Sequence, residues 1–329
     1  MAGHVPPVRT ALVAGGLLAA LAAVAAVGLQ LGAGALDDPL HGAVFLELRA
    51  LRFGAAVLAG SGLAAGGVLV QGLFRNPLAS PSILGTTAGA SLGGQLVLLL
   101  QASLGAVVAV RPELLLSLGS VCGALVALLV LLVLLRRGAD RVTLLLTGFV
   151  LSTLLVAAGS FVVSLAQAQH ELGRAVVAFT LGGLSGVGWA QVILAGPLVG
   201  VGLVAAWLWS GPLDLMLSGE TEAAALGVDV PRARRWVVVW VAVLTAAGVA
   251  LGGNVAFVGL VVPHALRRLV GAEHRRLIPL AALGGGVFLA GCDVIARLVP
   301  TRAEMPLGVV TGLIGAPLFL WLLRKTVSS

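Results

Sequence analysis

Residues 11–31 read ALVAGGLLAALAAVAAVGLQL, 21 positions without one charged side chain. A bilayer core calls for about 20 consecutive apolar helical residues, so this run is long enough to cross one. With Arg9 ahead of it, the run also resembles the charged and apolar regions of a secretory signal, whose apolar part is roughly 7–15 residues. This one is longer, and further apolar runs follow. We read it as the first transmembrane helix, with a cleaved signal as the alternative.

Composition carries that reading to the whole chain. Hydrophobic residues make up 59% of the 329, only 10% are charged, and the mean hydropathy is +1.11. An ordinary soluble domain is roughly 45–50% apolar. The 46 glycines suit packed membrane helices, where small residues let backbones approach. The chain is therefore expected to be an all-α, polytopic membrane protein. Its net charge of +7 is then a record of topology rather than a sign of nucleic-acid binding. Cys122 and Cys292 stand alone in apolar runs, with no CxxC and no zinc spacing.

Hydropathy predicts ten spans, near 10–33, 50–73, 82–101, 113–135, 142–165, 190–209, 236–254, 257–270, 277–298 and 306–323. The third and eighth are the weakest, being short or broken by Gly, Pro or His, and a partial helix is expected near 172–188. Ten crossings from a cytoplasmic N-terminus put 14 of the 20 Lys and Arg inside. Six fall outside: Arg49, Arg52, Arg111, Arg174, Arg297 and Arg302. The asymmetry favours both termini in the cytoplasm. Tryptophans at the expected helix ends fit an interfacial belt. Two segments, QGLFRNPLASPSILG and VGLVVPHALRRLVG, each place a Pro break after an apolar helix. They mark either an inverted repeat or a chance likeness.

Motif searches exclude several chemistries. Asp293 and Arg297 are the exceptional charges within a span, four apart on one helix face, where they can pair. No proton relay is visible. Thr143, Thr147, Ser152, Thr153, Ser160 and Ser164 enrich the fifth span, either bonding back to helix carbonyls or lining a polar path. His264 follows Pro263 at an expected helix break, and no histidines share a face with a carboxylate at metal-ligand spacing. HExxH and GxxxxGK[ST] are absent, no GxSxG outlines a hydrolase elbow, and Lys325 is the sole lysine. If ATP drives this chain, another subunit binds it.

One stretch breaks the apolar pattern. Residues 211–236, GPLDLMLSGETEAAALGVDVPRARRW, hold Asp214, Glu220, Glu222, Asp229, Arg232, Arg234 and Arg235. The charge asymmetry puts it in the cytoplasm. Ser218 is expected as an N-cap, Glu220 and Glu222 as first-turn anions, and Gly227 as the C′ residue after Leu226. Ala223, Ala224 and Ala225 are small enough for close approach to a partner. The residues alone leave two readings, a docking surface or a solvated loop whose arginines set topology and meet lipid headgroups.

Four segments together resemble the permease subunits of ATP-driven importers for iron–siderophore complexes, haem and vitamin B12. They are LVQGLFRNPLASPSILGTTAGASLG (69–93), GETEAAALGVDVPRARR (219–235), AFVGLVVPHALRRLVGAEHRRLIPLAALGGG (256–286) and EMPLGVVTGLIGAPLFLWLLRK (304–325). Departures are small: Ser80 where an acid is common, Glu273 where Asp is common, and Phe179 where Trp is frequent. Phe179 is expected near the path.

The resemblance implies one permease domain over 1–329, paired with a second copy or homologue. It further implies two ATP-binding subunits carrying ATP and Mg, an extracytoplasmic substrate-binding protein, and a place in the bacterial inner membrane. No cofactor and no metal are expected on this chain. ATPase coupling would fall on Leu217, Ser218, Gly219, Glu220, Glu222, Ala223, Ala224, Leu226 and Gly227 within a cytoplasmic segment at 211–235. Binding-protein docking would fall on Arg49, Arg52 and Arg297, against headgroup snorkelling or the Asp293 pair as alternatives. Arg141, Val142 and Thr143 would form a cytoplasmic gate. Ferric siderophore is the first expected cargo, with haem or cobalamin as alternatives. An ion-coupled secondary carrier working alone is the rival from another class, and a membrane enzyme is disfavoured for want of an acid–base or metal cluster.

Overall fold

The computed structural model describes residues 6–32, 34–35, 37–104, 112–136, 140–299 and 304–327. His4 and three arginines of the charge count, Arg111, Arg137 and Arg302, lie outside them. Every regular element among the described residues is helical. The order is α1 (Pro7–Gln30), α2 (Gly42–Phe74), a 3-10 turn (Pro81–Leu84), α3 (Thr86–Leu104), α4 (Pro112–Arg136), α5 (Arg141–Ala166) and α6 (His170–Leu181). Then come α7 (Trp189–Leu208), α8 (Ser210–Ser218), α9 (Glu220–Ala225), α10 (Val230–Gly252), α11 (Val258–Val270), α12 (His274–Leu298) and α13 (Leu307–Val327).

Each of the ten expected spans is a helix, and α6 is the expected partial one. By length and composition, eight helices among the described residues can cross a membrane. The two left out are α3 and α11, the pair whose sequence was weakest. The span boundaries need three corrections. Helix α2 starts at Gly42, so Arg49 and Arg52 lie within it rather than ahead of it. Helix α10 starts at Val230, which puts Arg232, Arg234 and Arg235 on its first turns. Pro263 sits inside α11 and His264 follows it without a break. The paired Pro interruptions are therefore not alike. After α2 the chain does turn, with Arg75 left-handed at φ 49° and its N–H bonded back to Gln71 and Gly72.

Burial separates interior helices from those at the periphery of the bundle. The most apolar window of α2 is 78% buried, that of α10 72% and that of α12 67%, against 6% for α1 and 17% for α5. At the centre α2 and α12 touch backbone to backbone. A Cβ on Gly60 would collide with the Gly285 carbonyl, and one on Gly285 with that of Gly60. Ser61 Oγ donates to the Ala282 carbonyl at 2.8 Å beside this contact. Between lipid-surrounded helices, such close approach supplies the dispersion energy that a hydrophobic effect cannot.

The bundle has two polar ends. One gathers the C-termini of α2, α7 and α11, all of α8 and α9, and the N-termini of α10 and α12. The other gathers the C-termini of α1 and α12 and the N-termini of α2 and α7, tied by Trp189 Nε1 donating to Glu47 at 2.6 Å.

Candidate functional site

At the first end, residues 211–235 are structured throughout. Helix α8 runs to Ser218, so Ser218 ends one helix and does not cap the next. Gly219 is the N-cap of α9, and its lack of a side chain leaves the cap unfilled. Glu220 and Glu222 stand in the first turn as expected. Gly227 has φ +88°. Its N–H bonds to the Ala224 carbonyl at 3.0 Å, and that of Val228 to Ala223 at 3.0 Å. This pair of bonds is the Schellman closure, and the left-handed residue it needs is glycine.

The three alanines divide. Ala223 is fully buried with Met216, Val230 and Ala233, locking α9 onto α8 and α10. Ala224, Ala225 and Leu226 are exposed, Leu226 to 66%. The end of α9 thus presents an apolar surface, with Thr221 and Glu222 exposed beside it, on a turn held by its own core. Leu217 is partly buried beneath it. Arg234 is not free for lipid headgroups, because it pairs with Glu220 at 2.7 Å.

Beside it begins α5. Asp140 is its N-cap and accepts the Thr143 N–H at 2.9 Å. The Thr143 hydrogen bonds, with the Arg234 charge nearby, hold the Asp140 carboxyl below its ordinary value. Val142 and Thr143 are exposed at this end, while the Arg141 side chain lies outside the described residues.

At the opposite end five charges meet. Asp293, 1% exposed, accepts Arg52 Nε at 3.0 Å and pairs with Arg297 Nη2 at 3.1 Å. Arg52 also pairs with Glu304 at 2.8 Å, whose side chain is half exposed. The α1 C-terminus completes the cluster. Arg49 donates to the carbonyls of Leu29, Gln30, Gly32 and Gly34, and Arg297 to those of Gly28 and Leu31. With Leu31 N–H on Val27, all four carbonyls of the last α1 turn are satisfied. The three expected docking arginines are thus brought together on one cavity of about 620 Å³. Arg49 and Arg297 are spent on backbone and Asp293. The Asp293–Arg297 pair expected from their spacing is present, and the carboxylate also holds Arg52 from α2.

Between the ends lie two smaller cavities, of about 250 and 160 Å³, which share Ser82, Thr87 and Asn254. No charged residue lines either. Ser152 and Ser160 line the smaller, while Thr153 and Ser160 bond back to helix carbonyls at 2.9 and 3.0 Å. Back-bonding is thus seen at Thr153 and Ser160, while Ser152 and Ser160 also face this cavity. Gln95 Nε2 crosses the smaller cavity wall to Thr180 at 2.8 Å. Phe179 is half-buried, next in sequence to the cavity-lining Thr180. It packs beside Gly94 with Ala90, Ala124, Ala246 and Val249.

Several polar residues went unread in the sequence. Asp214 was counted only as a charge and His274 was assigned no role, yet they bond to each other. Gln71 links Arg267 to the Leu260 carbonyl. A histidine opening a helix directly after a glycine turn, GAEHRR, was the available signal.

Comparison with known proteins extends these findings. The model of the FecCD transport family matches residues 8–325. The chain is 38% identical over 324 residues to the cobalamin import system permease protein BtuC of Halobacterium salinarum, covering 98% of this chain and 82% of that one. It is 39% identical to the Fe(3+) dicitrate transport system permease protein FecD of Escherichia coli, over 87% and 86% of the two chains. To the hemin transport system permease protein HmuU of Yersinia pestis it is 36% identical, over 86% and 83%. A metal-chelate type ABC transporter solved in an inward-facing conformation superposes with a TM-score of 0.85 at 29% identity, covering 96% of this chain and 99% of that one.

Proposed function

The chain belongs to the FecCD transport family, and we propose that it is the membrane-spanning permease subunit of an ATP-driven importer. The observation that carries this reading is the exposed, small-residue turn at Ala224–Leu226 on a chain without a phosphate-binding loop. In the proposal α9 seats in a cleft of an ATP-binding subunit, with Leu217 and Gly219 behind it and Gly227 closing it. ATP and Mg²⁺ belong to that partner. Two permeases, identical or homologous, and two ATP-binding subunits form the assembly in the bacterial cytoplasmic membrane. The 211–235 segment faces the cytoplasm together with both termini.

At the outer end, a substrate-binding protein docks over the 620 Å³ cavity. Arg52 is its electrostatic contact, because its second partner, Glu304, is exposed and exchangeable. Arg49 and Arg297 shape the site by fixing α1. Cargo then passes the uncharged cavities, with Val142 and Thr143 at the inner gate beside Arg141. Alternating access arises when ATP binding and release bias two packings of the bundle.

Ferric siderophore is the proposed cargo, since a hydroxyl-lined, charge-free path suits a bulky chelate. Cobalamin is the second reading, favoured by the BtuC relative that matches 98% of the chain. Uptake by the isolated chain under an ion gradient would instead support a secondary carrier.

Reconstitution with the ATP-binding subunits tests the contact. Ala224→Arg is expected to leave helical content and ATP hydrolysis intact while uptake fails. Ala223→Arg, at a buried site, is expected to unfold this end. Normal uptake by the Ala224→Arg variant would remove α9 from the interface.

A further inference from the structure

Helix α12 runs without interruption over 25 residues, about 37 Å at 1.5 Å per residue, with Pro279 inside its second turn. Each end is gripped by a carboxylate. At the first end Asp214, on α8, accepts the backbone N–H of His274 at 2.8 Å and its ring Nδ1 at 2.6 Å, both on Oδ1. A carboxylate can only accept here, so the ring carries a proton on Nδ1. Glu273 is the N-cap of α12 but makes no side-chain cap bond. Asp214 supplies that cap from another helix, where the α12 dipole favours an anion.

The joint is also enclosed. His274 is fully buried, and its ring lies against α2 so closely that a Cβ on Gly72 would collide with Nε2. The next residue, Arg275, lies over the Trp207 ring of α7 at 5.1 Å. At the far end of the same helix, Asp293 holds Arg52 and Arg297. A displacement of α8 therefore cannot leave α12 behind without breaking two hydrogen bonds at a buried ring.

We propose that Asp214 and His274 are positioning residues that join the 211–235 segment to α12, so that α8 and α12 move as one body and carry displacement to the Asp293–Arg52 pair. The link is reciprocal: docking that draws Arg52 away from Glu304 biases the ATPase end through the same helix. This inference rests on the proposed coupling role of the segment.

The test uses the full assembly of permease, ATP-binding subunits and binding protein in proteoliposomes, with cargo moved per ATP hydrolysed as the readout. Asp214→Ala is expected to lower that ratio roughly fivefold or more. Asp214→Asn, which keeps an accepting Oδ1, is expected to stay near the unsubstituted protein. An unchanged ratio in Asp214→Ala overturns the joint. Should that variant fail to assemble, spin labels at Leu215 of α8 and Ile295 of α12, both exposed, decide the matter. Their separation is expected to stay constant across nucleotide states, and a change would overturn the proposal. If the unsubstituted assembly shows no ATP-driven uptake, the importer reading fails first and the joint falls with it. Normal uptake coupling with an unchanged Asp214→Ala ratio defeats the joint alone.

Discussion

Arg49 shows how one charge can be put to structural use inside an apolar protein. Its guanidinium, 6% exposed, meets four carbonyls at the end of α1. Two of those carbonyls, of Leu29 and Gln30, are orphans of helix geometry, and two belong to the chain that follows α1. Arg49→Met should lower stability by about 2–4 kcal/mol, since hydrogen bonds to charged groups contribute about 1.5–3 kcal/mol each and several are lost together. Thermal unfolding in detergent measures it. Arg52→Glu should act differently, weakening capture of the binding protein with little loss of stability. Its guanidinium reaches Glu304 at the exposed rim, and equal capture would remove it from the docking site. That these arginines cluster was legible, because all three were expected on one side. Which of them still faces outward was not, because their acceptors are carbonyls of a helix whose end no side-chain pattern reveals.

Helix ends in the coupling segment obey local rules, and glycine at C′ identified the stop of α9 before its coordinates did. The start was misread. Ser218 has the right chemistry for a cap, but Met216 and Leu213 are pulled into the core and extend α8 through it. Gly227→Val should cost about 1–2 kcal/mol, since a β-branched residue resists the left-handed region. Circular dichroism melting would register the loss. Helix pairing is less local still. Gly285→Val should separate α2 from α12 and cost about 3 kcal/mol or more through overpacking, with lower yields of folded permease. A silent Gly285→Val would show that this contact relaxes easily. The sequence carried 46 glycines, and nothing in it told that Gly60 and Gly285 face each other 225 positions apart.

Orientation belongs to the whole molecule, and single cysteines in a background lacking Cys122 and Cys292 test it. Ala225→Cys should react with an impermeant maleimide only from the cytoplasmic face, and Ser185→Cys only from the outer one. The opposite pattern would invert the topology. By itself the sequence determined that the chain is helical and membrane-spanning, where its long apolar helices lie and which family it joins. Those follow from run length, hydropathy and motifs that a linear reading contains. The tertiary structure alone decided that α2, α10 and α12 form the interior, that Ala224 faces out while Ala223 faces in, and that Asp214 caps α12 through His274. In a chain that is apolar nearly everywhere, hydrophobic periodicity cannot separate core from lipid, because both are equally dry. Only the packing of small residues and the pairing of the few charges makes that choice.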